Sequence, residues 1–231
     1  GGAESLIQVD VERVANEEDM RLLRERIESA LADVRAAFND WQAMRSQMEK
    51  IAAELASRRM PASDQTRAEA QEFLRWAADN HFTFLGYREY EVTTRDGQRV
   101  LAAKPGTGLG IMRVDKDTKP RPVTGLAAAG LKPGTKIDPL ILTKTNSRST
   151  VHRPGYMDYI GVLCFDEAGN AIAEQRFLGL YTSSAYNRRP WDIPLVRLRH
   201  AAVMAASGLG ESSHSGKALR HILETLPQAR R

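Results

Sequence analysis

The chain has 231 residues, 42% of them hydrophobic and 27% charged, with a formal net charge of +4. That balance suits one large globular domain or two small ones with a sizeable core, and it supplies no run of apolar residues long enough to span a membrane. The positive excess lies from residue 141 onward and is too thin for a nucleic-acid footprint, although an anionic small ligand or an acidic neighbouring domain would match it. No basic region followed by an apolar stretch opens the chain, so no secretory signal is expected. Cys164 is the single cysteine, which excludes an internal disulfide and a cysteine-based zinc site. The strand-like setting Ile160-Gly-Val-Leu-Cys-Phe165 predicts a core thiol. A reducing cytoplasm is the expected setting.

Ile7, Val9 and Val11 alternate with Gln8, Asp10 and Glu12, the period of a half-buried strand. Nothing in the next fifty residues offers it a partner, so it reads as the end of an upstream module. Asn16 then caps a helix with three acids in its first turn. Leu23, Ile27, Ala30, Val34, Ala37, Trp41, Met44, Met48, Ile51 and Leu55 follow at alternating spacings of four and three, a heptad seam. It fits one long helix or two broken near Asn39-Asp40, packed on its own domain or against another chain. Arg58–Ser63 ends it. A second helix is expected from about Asp64 to Ala78, capped by Ser63 or Asp64.

From His81 the period becomes two. Phe82–Val92 reads as a strand, Asp96-Gly97 as a turn and Arg99–Ala103 as its return, with a short strand in Gly108–Arg113. Residues 115–138 are a Lys/Pro/Gly-rich crossover. Three strands follow, Leu140–Thr145, Met157–Asp166 and Ala171–Thr182, and then helices over 193–206 and 215–225, the first capped by Asp192. Two strands, a crossover and three antiparallel strands outline a PAS-like sheet. The fold class is therefore α+β: an antiparallel sheet of about five strands with flanking helices, preceded by a long helical segment.

The sequence carries no complete catalytic motif. Gly106-Thr-Gly-Leu-Gly110 has the spacing G-x-G-x-G, with no helix after it, and misses the dinucleotide fingerprint. Gly216-Lys217 lacks the glycine and hydroxyl of a P-loop. No two of the five histidines stand three or four residues apart. Two polar clusters remain. One, Asn146–Tyr159, holds Arg148, His152, Arg153, Tyr156 and Tyr159; its two arginines could clamp a carboxylate. The other, Thr182–Pro190, holds Tyr186, Asn187 and Arg188. Each is a candidate ligand or interface site. Each also reads as a polar loop bonded to itself or to a neighbouring domain.

These clusters lie in strings that resemble the large bacterial NAD-specific glutamate dehydrogenases: Asn80-His-Phe-Thr-Phe-Leu-Gly-Tyr-Arg-Glu-Tyr90, Leu142-Thr-Lys-Thr-Asn-Ser-Arg-Ser-Thr-Val-His-Arg-Pro154, Arg176-Phe-Leu-Gly-Leu-Tyr-Thr-Ser-Ser-Ala-Tyr-Asn-Arg188 and Ser213-His-Ser-Gly-Lys-Ala-Leu219. The resemblance covers roughly residues 66–226. It implies a homo-oligomeric enzyme that oxidatively deaminates L-glutamate to 2-oxoglutarate and ammonia while reducing NAD, with ACT-like and PAS-like modules ahead of its catalytic domain. The implied division is 1–14 as the end of an ACT-like module, 15–62 as a helical linker, 63–226 as a PAS-like domain with C-terminal helices, and 227–231 as a tail. The family's catalytic lysine and nucleotide-binding domain have no match here. The resemblance therefore assigns no catalytic, cofactor-binding or metal residue, and places NAD in the full-length enzyme alone. The expected partners are other domains and subunits of the same enzyme and a small anionic or amino-acid effector; nucleic acid and membrane are not expected.

Overall fold

The computed structural model describes residues 6–14, 16–114, 120–122 and 138–229. Most of the crossover expected at 115–138 lies outside these residues.

Helix α1 runs unbroken from Glu17 to Leu55. The Asn16 side chain accepts from the Asp19 amide at 2.7 Å, and Glu17, Glu18 and Asp19 occupy the positive end of the helix. Asn39-Asp40 does not break it. The Asp40 carboxylate is buried and turned outward from the helix, where it accepts from the Gly110 amide at 2.7 Å and the Arg113 guanidinium. Met44, Met48, Ile51, Ala52 and Leu55 are buried below it. Helix α2, Asp64–Trp76, is capped by Ser63, whose Oγ accepts from Thr66 N at 3.1 Å. A π-type turn, Ala77–His81, then delivers the chain into the sheet through Asn80, which is left-handed at φ 59°.

The strands are β1 Phe82–Arg95, β2 Gln98–Ala103, β3 Leu109–Gly110, β4 Arg121–Pro122, β5 Leu140–Arg148, β6 Tyr156–Phe165 and β7 Ala171–Tyr181. Asp96 and Gly97 both have positive φ, as the expected two-residue hairpin between β1 and β2 requires. All pairings are antiparallel, in the order β4-β2-β1-β7-β6-β5, with β3 also on β1. The expected α+β architecture is thus present: a long helix, a curled antiparallel sheet and flanking helices. On one face of the sheet Phe82, Phe84, Tyr87, Ile160, Val162 and Phe177 pack against Met44, Met48, Ile51, Phe73 and Leu74 of α1 and α2. A second cluster joins Ala37 to Leu85, Met157 and Leu180.

Two glycines of Gly106-Thr-Gly-Leu-Gly110, Gly108 and Gly110, have a packing role, whereas a Cβ at Gly106 would meet nothing within 4 Å. Gly110 sits at φ 60°, and a Cβ there would lie 2.1 Å from the Leu85 carbonyl. A side chain would separate β3 from β1 and remove the amide from Asp40.

After β7 come a single turn α3, Ser183–Tyr186, a 3₁₀ turn, Pro190–Asp192, and helices α4, Val196–Ser207, and α5, His214–Ala229. Gly208 ends α4 in the left-handed conformation. Three expectations fail. Residues 6–14 form no strand: Leu6, Ile7, Val9 and Val11 are exposed, because a strand needs an edge to pair with and none lies beside them among the described residues. Asp192 does not cap α4; it pairs with Arg189 instead. The N-cap is Leu195, buried at φ 64°, whose amide donates to Glu69 of α2 at 2.7 Å. Cys164 is half-buried rather than enclosed, with its sulfur 3.4 Å from Arg58 Nη1. Burial pushes its thiol up, and the Arg58 charge only partly opposes that.

Candidate functional site

Strands β5 and β6 are joined by residues 149–155, and α3 follows β7, so the two polar clusters meet at one end of the sheet. The register sets Arg148 opposite Tyr156, and the Arg148 guanidinium lies 5.2 Å from the Tyr156 ring centre. Arg153 reaches across to β7: its Nη2 donates to the Tyr181 carbonyl at 2.9 Å, and the guanidinium lies 5.3 Å from the Tyr186 ring centre. Lys144 on β5 donates to the Tyr186 hydroxyl at 3.4 Å and pairs with Asp158 on β6 at 2.5 Å. Asp158 is buried and also accepts from the Tyr181 amide at 3.0 Å. Burial pulls the Lys144 ammonium down, but the bond and charge of Asp158 outweigh it and the lysine ends raised. Burial, then Asp158, pushes the Tyr181 phenol well above its ordinary value.

The candidates divide. Arg148, Arg153, Tyr156 and Tyr186 belong to this rim. His152 is exposed in the connecting loop at φ 70°, and Asn187 and Arg188 are exposed at the end of α3. Tyr159 is on the opposite face. One residue from Ile160, it points away from α1 and joins Glu174, Arg176 and Tyr90. Glu174 is 1% exposed and accepts from the Tyr159 hydroxyl and, at 3.0 Å, from Arg176 Nε. The Arg176 guanidinium lies between two rings, 4.0 Å from the Tyr90 centre and 4.9 Å from that of Tyr159. Burial lowers Arg176, yet the Glu174 charge more than restores it. Gly161 makes the cluster possible: a Cβ would stand 2.8 Å from the Tyr159 ring and 2.9 Å from Glu174 Oε1.

The rim thus gathers Lys144, Arg148 and Arg153 with the rings of Tyr156 and Tyr186 at one end of the sheet, and Lys144 is paired there with the buried Asp158. The Glu174 cluster is a closed ion pair that offers nothing outward. Among the described residues, no three His, Cys, Asp or Glu side chains are grouped to hold a metal ion, and no helix is long and apolar enough to cross a membrane.

The chain is 35% identical over 227 residues to the NAD-specific glutamate dehydrogenase of Halomonas elongata, covering 97% of this chain and 14% of that protein. It is 34% identical over 230 residues to the Pseudomonas aeruginosa protein of the same name, again covering 97% and 14%. The Mycobacterium tuberculosis protein of that name is 29% identical over 203 residues, 86% of this chain and 11% of its own length. Residues 193–229 match the family described as glutamate dehydrogenase, helical motif 1. This chain is related to the NAD-specific glutamate dehydrogenases. It spans about 14% of the length of the first two of these relatives.

The glutamate dehydrogenase helical motif covers α4 and α5. It is tied to α2 by Arg197, which pairs with Glu69 at 2.9 Å and with Glu72, and by the Glu69 bond to Leu195 N. Sequence reading missed Lys144, Asp158, Glu174, Arg176 and Glu69. A signal was present for two of them: Glu174 and Arg176 are the two charges of β7, two apart and so on the same face by period. None existed for Glu69, whose partners lie over a hundred residues away.

Proposed function

We propose that this chain is a non-catalytic regulatory and assembly segment from the N-terminal part of an NAD-specific glutamate dehydrogenase, whose whole chain converts L-glutamate and NAD to 2-oxoglutarate, ammonia and NADH. The observation that carries the reading is identity of 35% across 97% of this chain with an enzyme of which it makes up only 14%. The five long strands support a PAS-like module over 63–226, since their order, β2-β1-β7-β6-β5, is 2-1-5-4-3 when they are numbered by themselves. On this reading residues 1–14 close an ACT-like module and 15–62 link the two. NAD is held by the rest of the cytoplasmic enzyme, and other domains and subunits are the partners. A small anionic or amino-acid effector would meet Lys144, Arg148 and Arg153 at the rim. The 231-residue chain alone is expected to produce no NADH from glutamate. Its melting temperature is expected to rise with a 2-oxo acid or amino acid at millimolar concentration. Glutamate-dependent NADH formation by this chain would overturn the non-catalytic reading, and no thermal shift with any such compound would overturn the effector.

A second reading, an interaction module without a ligand, is favoured by the exposure of Arg148, His152, Arg153, Tyr156, Asn187 and Arg188 around the rim. Substituting Arg148, Arg153 and Arg188 would then change the assembly of the full enzyme on gel filtration, with no ligand effect.

A further inference from the structure

Helix α1 carries two apolar stripes. Ala37, Met44, Met48, Ile51 and Leu55 are buried in the domain. Met20, Ile27, Leu31, Val34, Phe38 and Trp41 face solvent, with exposures of 49%, 50%, 45%, 42%, 73% and 40%. From Ile27 the second stripe advances by four, three, four and three, a heptad seam in its own right. Arg24 and Arg45 fill the seam positions before and after. It runs from Met20 to Arg45, about 38 Å at 1.5 Å per residue. It ends in a groove of ≈ 170 Å³ lined by Trp41, Arg45, Ala78, Phe82 and Phe84, with Asn80 and Thr83 at its side. The two stripes lie roughly a quarter of a turn apart. Asp33, which accepts from Thr150 at 2.8 Å, is on the domain side, so a helix laid on the solvent stripe would not displace the helix's own domain.

We propose that the occupant of this stripe is α1 of a second copy of this chain, antiparallel, about a twofold axis between Ala32 and Asp33. Charge selects that arrangement. About this axis Leu31 meets Val34 of the second copy and Phe38 meets Ile27. Arg24 lies on the Trp41 ring, an arrangement that attracts a cation to the ring face. Glu28 and Arg35, both exposed on the same flank of the seam, fall opposite each other twice, Glu28 of each copy against Arg35 of the other. Met20 is carried to Arg45 and the mouth of the groove. A parallel pairing would instead set Arg24 against Arg24 in the seam, where like charges repel. The pairing is isologous, each contact occurring twice, as a twofold dimer requires.

Light scattering on the 231-residue chain is expected to give the mass of a dimer. Leu31→Glu, at an exposed site, is expected to give a monomer with an unchanged circular dichroism spectrum. Orientation is read by cross-linking in a Cys164→Ser background. A mixture of Ile27→Cys and Phe38→Cys chains should form an interchain disulfide, while neither variant alone should do so, since its own cysteines would lie about 16 Å apart along the helix. A wild-type chain that stays monomeric at all concentrations, as it would if another part of a longer protein covered the stripe, overturns the proposal. So does a dimer that Leu31→Glu leaves intact, or one in which Phe38→Cys cross-links to itself.

Discussion

Asp158 and Glu174 are both buried carboxylates on neighbouring strands, and both are paired with a cation. Their partners differ. Lys144 leaves 53% of its side chain in water, whereas Arg176 leaves 14% and is held between two tyrosine rings. A lysine on a flexible stem can turn to solvent when its carboxylate is lost. A guanidinium enclosed by Tyr90 and Tyr159 has nowhere to go, so its charge would be stranded. The difference separates a rim whose cation is largely in water, as the proposed effector site requires, from a cluster that is enclosed.

Replacing both carboxylates by their amides tests this contrast most strongly. Glu174→Gln is expected to destabilise the chain by about 3 kcal/mol, the scale for breaking one side of a buried ion pair. Asp158→Asn is expected to cost about 1 kcal/mol, because the amide oxygen still accepts from Tyr181 N and Lys144 relaxes outward. Urea unfolding of the two variants side by side measures both. Equal losses would show that Arg176 escapes to water as readily as Lys144 does.

Tyrosine ionisation sharpens the comparison along the pH axis. The Tyr159 phenol is driven well above its ordinary value of 10.0, first by burial and then by the Glu174 charge. A folded-state pKa raised above the unfolded one contributes stability that is complete below pH 10 and falls away as pH rises beyond it. The native chain should therefore lose stability on the alkaline side of pH 10. Tyr159→Phe is expected to cost about 1 kcal/mol at neutral pH through the lost hydrogen bond and to show a shallower alkaline decline. Melting temperatures from pH 7 to 11 test this, and an unchanged alkaline slope would count against the assignment. Tyr87 and Tyr181 are raised as well, so the decline should lessen rather than vanish.

Periodicity made the long strands, the hairpin at Asp96-Gly97 and the helices legible, because each is a local pattern of burial. It misled at Ile7, Val9 and Val11, where alternation shows a capacity to pair but cannot supply an edge. It also merged the two stripes of α1, since Ala37 and Trp41 satisfy one heptad spacing although one is buried and the other exposed. The polar rim was half legible. Arg148, Arg153, Tyr156 and Tyr186 stand in conspicuous polar strings, while Asp158 and Lys144 acquire a role only through the β5–β6 register, which sets them opposite each other. Tyr159 was assigned to the wrong group because one step along a strand reverses the face, which a residue string does not display. The cap of α4 illustrates the same limit: Asp192 is the local choice by composition, but Glu69, from a different helix, supplies the acceptor.

The smallest effect concerns Arg153. Its guanidinium is exposed, so its bond to the Tyr181 carbonyl and its approach to Tyr186 are both screened by water. Arg153→Ala is expected to lower stability by no more than about 0.5–1 kcal/mol, the scale of an exposed cation–π contact. If the rim holds an anion, however, the same substitution removes a cation placed to bind it. Arg153→Ala should then abolish most of the thermal stabilisation by a 2-oxo acid while leaving the melting temperature of the free chain nearly unchanged. A stability loss as large as that of Glu174→Gln would place Arg153 in the scaffold. That outcome would erase the distinction between the two clusters, because the rim would then be as closed as the ion pair on the other face.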